Sequence, residues 1–186
     1  MSQPKKRDAE ATTERILVAA QQTFHDKGYD AATTREIADR AGVNLALITR
    51  YFGSKRGLFE RAVLPHLSLG WFLKDGLQDG ASRLADFYVD TALKGQFDPF
   101  VVLLRSVSSA EAGPMLADAI QKQAIDPLQE AIGGPEAEAR ATLLATQLAG
   151  LILWFRVMDK RPRDAQTRER IRKMLTDHLA SLLTTE

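Results

Sequence analysis

The sequence predicts an all-α protein of about nine helices, an N-terminal three-helix head joined to a larger helical domain. Three observations predict it. Alternating β-branched runs bounded by turn residues are absent. Apolar residues recur at helical spacing instead. Glycine and proline then cut the chain into pieces of helical length, at Gly28, Gly42, Gly53, Pro65, Gly70, Gly76 to Gly80, Gly95 to Pro99, Gly113-Pro114, Gly133 to Pro135 and Pro162.

The first helix is expected from about Thr12 to Lys27, with Ile16, Ala20 and Phe24 on one face. Lys27 suits the negative end of its dipole, and Gly28 can take the left-handed stop conformation. The second helix opens on Thr33, whose spacing to Glu36 is that of a capping box, and stops at Gly42. Asn44 can cap a short third helix, Leu45 to Phe52, and Ser54 a fourth that holds Leu58, Phe59 and Ala62. Further on, an apolar helix starts at Pro99 and carries Arg105. A broadly apolar helix carries Ala141, Ala145 and Ala149 among Leu144, Leu148, Leu151, Ile152 and Phe155. The last runs from about Asp164 to Leu183, with Ile171, Leu175, His178, Leu179 and Leu182 toward one side.

A chain of 186 residues buries about 70% of the surface its unfolded form exposes, enough for a real core. With 45% hydrophobic and 26% charged residues it is neither disordered nor fibrous. It has no apolar run long enough to span a membrane and no apolar leader behind Met1, so a cytoplasmic location is expected. The absence of cysteine excludes disulfides, thiolate metal sites and a cysteine nucleophile. His25, His66 and His178 are scattered, and there is no G-x-S-x-G or phosphate-binding glycine loop. No enzyme, metal site or cofactor is therefore expected. Net charge is +1 but unevenly spread: +3 over residues 1–61, −5 over 62–150 and +3 over 151–186. The basic first third suits a module that faces an anion.

The segment Ile37-Ala38-x-x-Ala41-Gly42-Val43-x-x-x-x-Ile48 is the packing pattern of a helix-turn-helix. Ala38 is small enough for two helices to cross steeply, and Gly42 tolerates the positive φ of a short turn. Ile37, Ala41 and Ile48 face the core. The second helix of the pair then turns Leu45, Ala46, Thr49 and Arg50 outward, as a helix entering a DNA major groove must.

The stretch from Thr33 to Phe59 resembles the tetracycline-repressor (TetR) family of bacterial regulators, whose typical pattern is a threonine-rich entry to helix two followed by A-G-V-S-x-G-x-L-Y-x-H-F-x-S-K-x-x-L. The resemblance covers residues 12–63. It implies a DNA-binding domain over 9–63, with the motif at about 33–52, and a helical ligand-binding and dimerisation domain over 64–186. It implies a dimeric repressor of double-stranded DNA at a palindromic operator, responsive to a small-molecule effector. Thr34, Arg35, Asn44, Leu45, Ala46, Leu47, Thr49, Arg50, Tyr51 and Lys55 form the DNA-binding set. Arg50 is the candidate for bidentate contact with guanine and Arg35 the second. Thr34, Thr49, Tyr51 and Lys55 position the phosphate backbone. Leu45, Ala46 and Leu47 press on thymine methyls. Thr49 stands where the family usually has Tyr, and Tyr51 where it has His. Tyr51 either donates to a phosphate or packs beside Phe52. Lys5, Lys6 and Arg7 make a basic arm, either solvated or reaching a groove.

The last two helices are expected to join the homodimer, the alanine stripe allowing close approach. Phe87, Phe100, Leu104, Met115 and Trp154 are the candidate walls of an effector pocket, with Arg105 facing an anionic ligand. The alternative is a protein-interaction adaptor that keeps the helix-turn-helix as a scaffold and has no small-molecule effector. It predicts no salt-dependent DNA binding.

Overall fold

A computed structural model describes residues 4–74, 76–90 and 96–184, with the side chains of 4–7, 78 and 90 left out. The described residues are helical, without strands. The helices are α1 (Pro4–Ala31), α2 (Thr34–Ala41), α3 (Leu45–Phe52), α4 (Lys55–Ala62), α5 (Gly70–Leu73), α6 (Leu77–Asp90), α7 (Pro99–Ser106), α8 (Ala112–Ile120), α9 (Asp126–Ile132), α10 (Ala137–Ile152) and α11 (Ala165–Leu183). A π turn, Gln121–Ile125, carries α8 into α9, and another, Leu153–Val157, extends α10. With α8 and α9 taken as one rod and the single turn α5 set aside, nine helices remain among the described residues.

Contacts group the chain into two units. The first joins Met1–His66 with Gly95–Ala117, and the second joins Leu67–Lys94 with Asp118–Glu186. The sequence division at residues 63/64 therefore falls close to the first crossover, but α7 and the start of α8 pack with the head.

In the first unit α1 is the central rod, with α2, α4 and α7 along it. Ile16, Ala20 and Phe24 are fully buried, as their spacing predicts. Phe24, Tyr29 and Phe59 form a closed aromatic trio with centroids 4.9 to 6.0 Å apart. Edge-to-face contacts of this kind add about 0.5–1.5 kcal/mol per pair beyond area burial. The α1 helix begins at Pro4, eight residues before the expected start. Asp8, Glu10 and Ala11 are exposed, so no buried face marked this turn in the sequence. The hydroxyls of Thr12 and Thr13 donate to the carbonyls of Asp8 and Ala9 at 2.8 Å, consistent with helix there. The regular helix stops at Gly28, where φ is 74° and ψ 178°.

In the second unit α11 packs along α6, and α10 against α9 and α11. Asp164 caps α11 by accepting from the Thr167 amide at 2.7 Å. Leu175, Leu179, Leu182 and Leu183 are buried, while His178 is exposed and Ile171 half-buried. Arg172 pairs with Asp86 of α6 at 3.1 Å, and Arg140 donates to the Thr184 carbonyl at 2.9 Å. The inward side of α10 is Ala141, Leu144, Leu148 and Ile152, continued by Phe155. The alanine stripe thus starts inside its own protomer: Ala141 is fully buried, Ala145 and Ala149 half-buried. The outward side is Leu143, Leu153, Trp154 and Met158.

Candidate nucleic-acid interface

The chemistry of the head begins with its caps. Thr33 has extended backbone and its hydroxyl accepts from the Glu36 amide at 3.2 Å. The same hydroxyl donates to the Glu36 carboxylate at 3.2 Å. Lys27 also pairs with that carboxylate. This ammonium is the main reason the Glu36 carboxyl lies below its usual range. A second tie joins the same helices, both terminal nitrogens of Arg40 meeting one Asp26 oxygen at 3.1 Å. The end of α1 therefore fixes the start and the end of α2.

Gly42 closes α2 in the left-handed region, at φ 64° and ψ 42°, and its turn directs the chain into α3. The Asn44 side chain accepts from the Ala46 amide at 2.8 Å, so it serves as the cap of the recognition helix. Ile48 and Phe52 of α3 are buried, which turns the opposite side outward. That side presents Leu45, Ala46, Thr49 and Arg50, all exposed, with Leu47 and Tyr51 half-buried at its edges. Leu45 is 39% exposed, a large apolar side chain held in water at the first turn. Of the two roles expected of Tyr51, the packing beside Phe52 is present: its ring meets that ring edge-on at 6.5 Å, and it also lies 6.0 Å from the Arg50 guanidinium.

On the preceding helix Thr34 is half-buried and Arg35 exposed. Lys27, Arg40 and Arg56 are engaged by Glu36, Asp26 and Glu60. Arg35 and Arg50, the two cations named for base contact, have no acidic partner among the described residues, and the same holds for Arg15 and Arg61. Ser54 caps α4 by accepting from the Gly57 amide at 3.0 Å. Lys55 follows it, but its ammonium is turned onto the protein, 4.4 Å from the Tyr29 ring centroid and donating to the Asp30 carbonyl at 3.3 Å. Burial pushes this ammonium below the usual lysine range, against the pull of Asp30 and Glu111. The basic arm Lys5, Lys6 and Arg7 lies outside the residues whose side chains are described.

The candidate pocket residues do not come together within either unit. Phe100 and Met115 are buried and Leu104 half-buried in the first. Phe87 and Trp154 belong to the second. Two expectations are corrected. Arg105 does not face a cavity: its Nη1 donates to the carbonyls of His25 and Asp26, the latter at 2.7 Å. Trp154 is 52% exposed, because Ile152 and Phe155 take the inward positions of that turn. Phe87 sits in an aromatic cluster with Trp71 at 4.8 Å and Tyr88 at 5.2 Å, and Arg156 lies 4.4 Å from its ring. A separate open groove of about 480 Å³ runs beside Ala11, Val18, Ala19 and Ala41 and is lined by none of the candidate pocket residues.

Sequence reading missed two side chains that meet the end of α1 beside Arg105. Ser106 accepts from the Tyr29 amide at 2.9 Å, and Ser109 donates to the Asp30 carboxylate at 2.7 Å. Two buried serines following an apolar helix were the available signal.

Comparison with known proteins agrees with this geometry. Residues 16–62 match the model of the bacterial regulatory proteins of the tetR family, and residues 79–183 match the tetracyclin repressor-like C-terminal domain. The uncharacterized HTH-type transcriptional regulator YvkB of Bacillus subtilis is 49% identical over 57 residues, 31% of this chain and 30% of that protein. The HTH-type transcriptional repressor BdcR of Escherichia coli is 42% identical over 50 residues, 27% and 25% of the two chains. These matches span about a third or less of either protein. Among solved structures, native NalD of Pseudomonas aeruginosa aligns with a TM-score of 0.66 at 18% identity, over 96% of this chain and 99% of that one. A TerR/AcrR-family regulator from Aquifex aeolicus gives 0.66 at 19% identity, over 92% and 99%. No described helix is long and apolar enough to cross a membrane. With the two family models matched in chain order over most of its length, the chain belongs to the tetR family of bacterial regulatory proteins.

Proposed function

We propose that the protein is a sequence-specific, double-stranded-DNA-binding transcriptional regulator that works as a homodimer at a palindromic site. The observation that carries this reading is the outward side of α3. Leu45, Ala46, Thr49 and Arg50 project from a helix capped at both ends, and Arg50 is left without an acidic partner among the described residues. Such a helix offers apolar contact for thymine methyls and a guanidinium for guanine. Arg35 on α2 is the second base or phosphate contact. Thr34, Thr49 and Tyr51 flank the face as backbone contacts. Lys55 supports the head from beneath and reaches phosphate only by leaving Tyr29.

The sign of regulation is a separate matter from DNA reading. The relatives similar over the head include a protein named as a repressor, another named as an activator and a third named as a dual regulator. We favour repression, and response to a small effector held in the second unit, where Trp71, Phe87, Tyr88 and Arg156 cluster. The dimer face we assign to the outward side of α10 and its π extension, with Met174 of α11. Leu143, Leu153, Trp154, Met158 and Met174 are all large apolar side chains in water on the protomer.

Selection of bound duplexes from a randomised pool, followed by anisotropy over a salt series, tests the reading. The expected result is a consensus of two inverted half-sites about one helical turn apart. It should bind about 10³-fold more tightly than a shuffled duplex. No enrichment, and no binding at low salt, would favour the adaptor.

A further inference from the structure

Residues 25–30, at the end of α1, are held from two sides. From one side α2 and α4 reach them. Asp26 pairs with Arg40, Lys27 with Glu36, and the Asp30 carbonyl accepts from Lys55. From the other side α7 and the turn after it reach them. Arg105 donates to the carbonyls of His25 and Asp26, Ser106 accepts from the Tyr29 amide, and Ser109 donates to Asp30. Between the two sides lies Gly28, where a Cβ would stand 2.7 Å from the Arg105 carbonyl oxygen. The carbonyls of the last helical turn have no partner within their own helix. A guanidinium placed on two of them satisfies both and meets the negative end of the helix dipole. Arg105 thus caps α1 from 79 residues away in sequence. It holds the residue, Asp26, whose side chain holds α2.

We propose that Arg105 is a positioning residue for DNA reading: by capping the end of α1 it fixes Asp26, and through Arg40 it fixes α2 and the recognition helix in the orientation that meets a half-site. Arg105 itself touches no DNA in this account. The proposal rests on the DNA-reading function above, and its test separates the two.

The full-length protein is used throughout, with the duplex that wild type selects and a shuffled duplex as control. Arg105→Gln removes the charge and most of the donors. Its dissociation constant for the selected duplex is expected to rise about tenfold, inside the 5–150-fold span of typical couplings. Binding to the shuffled duplex stays as it was, since the phosphate contacts remain. Arg105→Lys, which keeps a cation at the helix end, recovers part of the loss. Asp26→Asn keeps the backbone carbonyl but loosens Arg40, so its loss lies on the same path. The double variant Arg105→Gln/Asp26→Asn is then expected to fall short of the product of the two single losses. Hydrogen exchange gives a readout without DNA: the α2 amides exchange faster in Arg105→Gln. Unchanged affinity for the selected duplex, equal loss on both duplexes, or single losses that multiply would overturn the proposal. If the Gln variant does not fold, the Lys variant carries the same comparison, and unchanged α2 exchange in it overturns the proposal. Failure of wild type to select any duplex would instead sink the DNA-reading function, and the exchange measurement would still decide whether Arg105 holds α2.

Discussion

The ammonium of Lys55 lies 4.4 Å from the centre of the Tyr29 ring, and the two residues stand on different helices of the head. The contact spends the cation on the protein's own core edge. Lys55→Ala should therefore act twice. It should weaken binding to all duplexes alike, with the salt slope reduced by about 1 if the side chain swings out to a phosphate. It should also loosen the start of α4. A salt series on selected and shuffled duplexes, beside a melt, separates the two. A lower melting temperature with an unchanged salt slope would leave Lys55 a structural role alone.

Tyr29 also gives the head a pH signature. Burial, and after it the Glu111 carboxylate, holds this phenol well above its usual range. Above a pH of about 10 the unfolded phenol ionises while the folded one keeps its proton. The folded state then binds more protons, and stability falls as pH rises. Lys55 acts in the opposite sense just below its ordinary range, since its folded ammonium discharges first. Urea unfolding across alkaline pH should show the fall in wild type and a shallower fall in Tyr29→Phe. Parallel curves for the two proteins would remove Tyr29 as the cause.

Arg50→Ala should cost about 1–3 kcal/mol on the selected duplex and relax the preference at one position of each half-site. The shuffled duplex should barely notice. Repeating the selection with the variant reads this directly. Equal losses on both duplexes would make Arg50 a phosphate contact.

Gly28 and Gly42 both have positive φ, and their alanine variants should differ. At Gly42 nothing lies within 4 Å of the added Cβ, so Gly42→Ala costs only the left-handed backbone, about 1–2 kcal/mol. Gly42→Asn should recover part of that. At Gly28 the Cβ would also meet the Arg105 carbonyl at 2.7 Å, so the loss should reach about 3 kcal/mol or more. Chemical denaturation of the two variants ranks them, and equal losses would mean that α7 yields readily.

Trp154 and Leu143, at 52% and 56% exposure, are the test of the dimer face. Trp154→Glu should weaken the dimer by about 2 kcal/mol or more, as for a central interface aromatic. Sedimentation velocity over a dilution series measures it. A dimer of unaltered strength in both Trp154→Glu and Leu143→Arg would move the interface elsewhere.

The head was legible because its signals are local. The threonine-to-glutamate cap, Gly42, Asn44 and Ser54 each act within a few residues, and the buried Ile37, Ala41 and Ile48 fall at helical spacing. Arg105 was misread because its partners are about 80 positions away, and a cation on an apolar helix looks the same from the sequence whether it meets a ligand or a carbonyl. The sides of α10 could not be told apart for a related reason. A helix apolar on nearly all sides has no period that separates its own core from a partner's surface. Burial of Ala141, Leu144 and Leu148 fixes which side is which. The early start of α1 left no trace because Asp8, Glu10 and Ala11 are exposed and mark no buried face.

The stretch from Gly95 to Ala117 groups with the head although it lies in the other half of the sequence. A head graft meant to exchange DNA specificity between related regulators could be cut just after the fourth helix. In this protein that cut would give the new head an α7 chosen for another α1, with Arg105, Ser106 and Ser109 facing residues they did not evolve beside. The transplantable unit is discontinuous: residues up to His66 travel with the segment that ends at Ala117, or the graft arrives with its first helix uncapped.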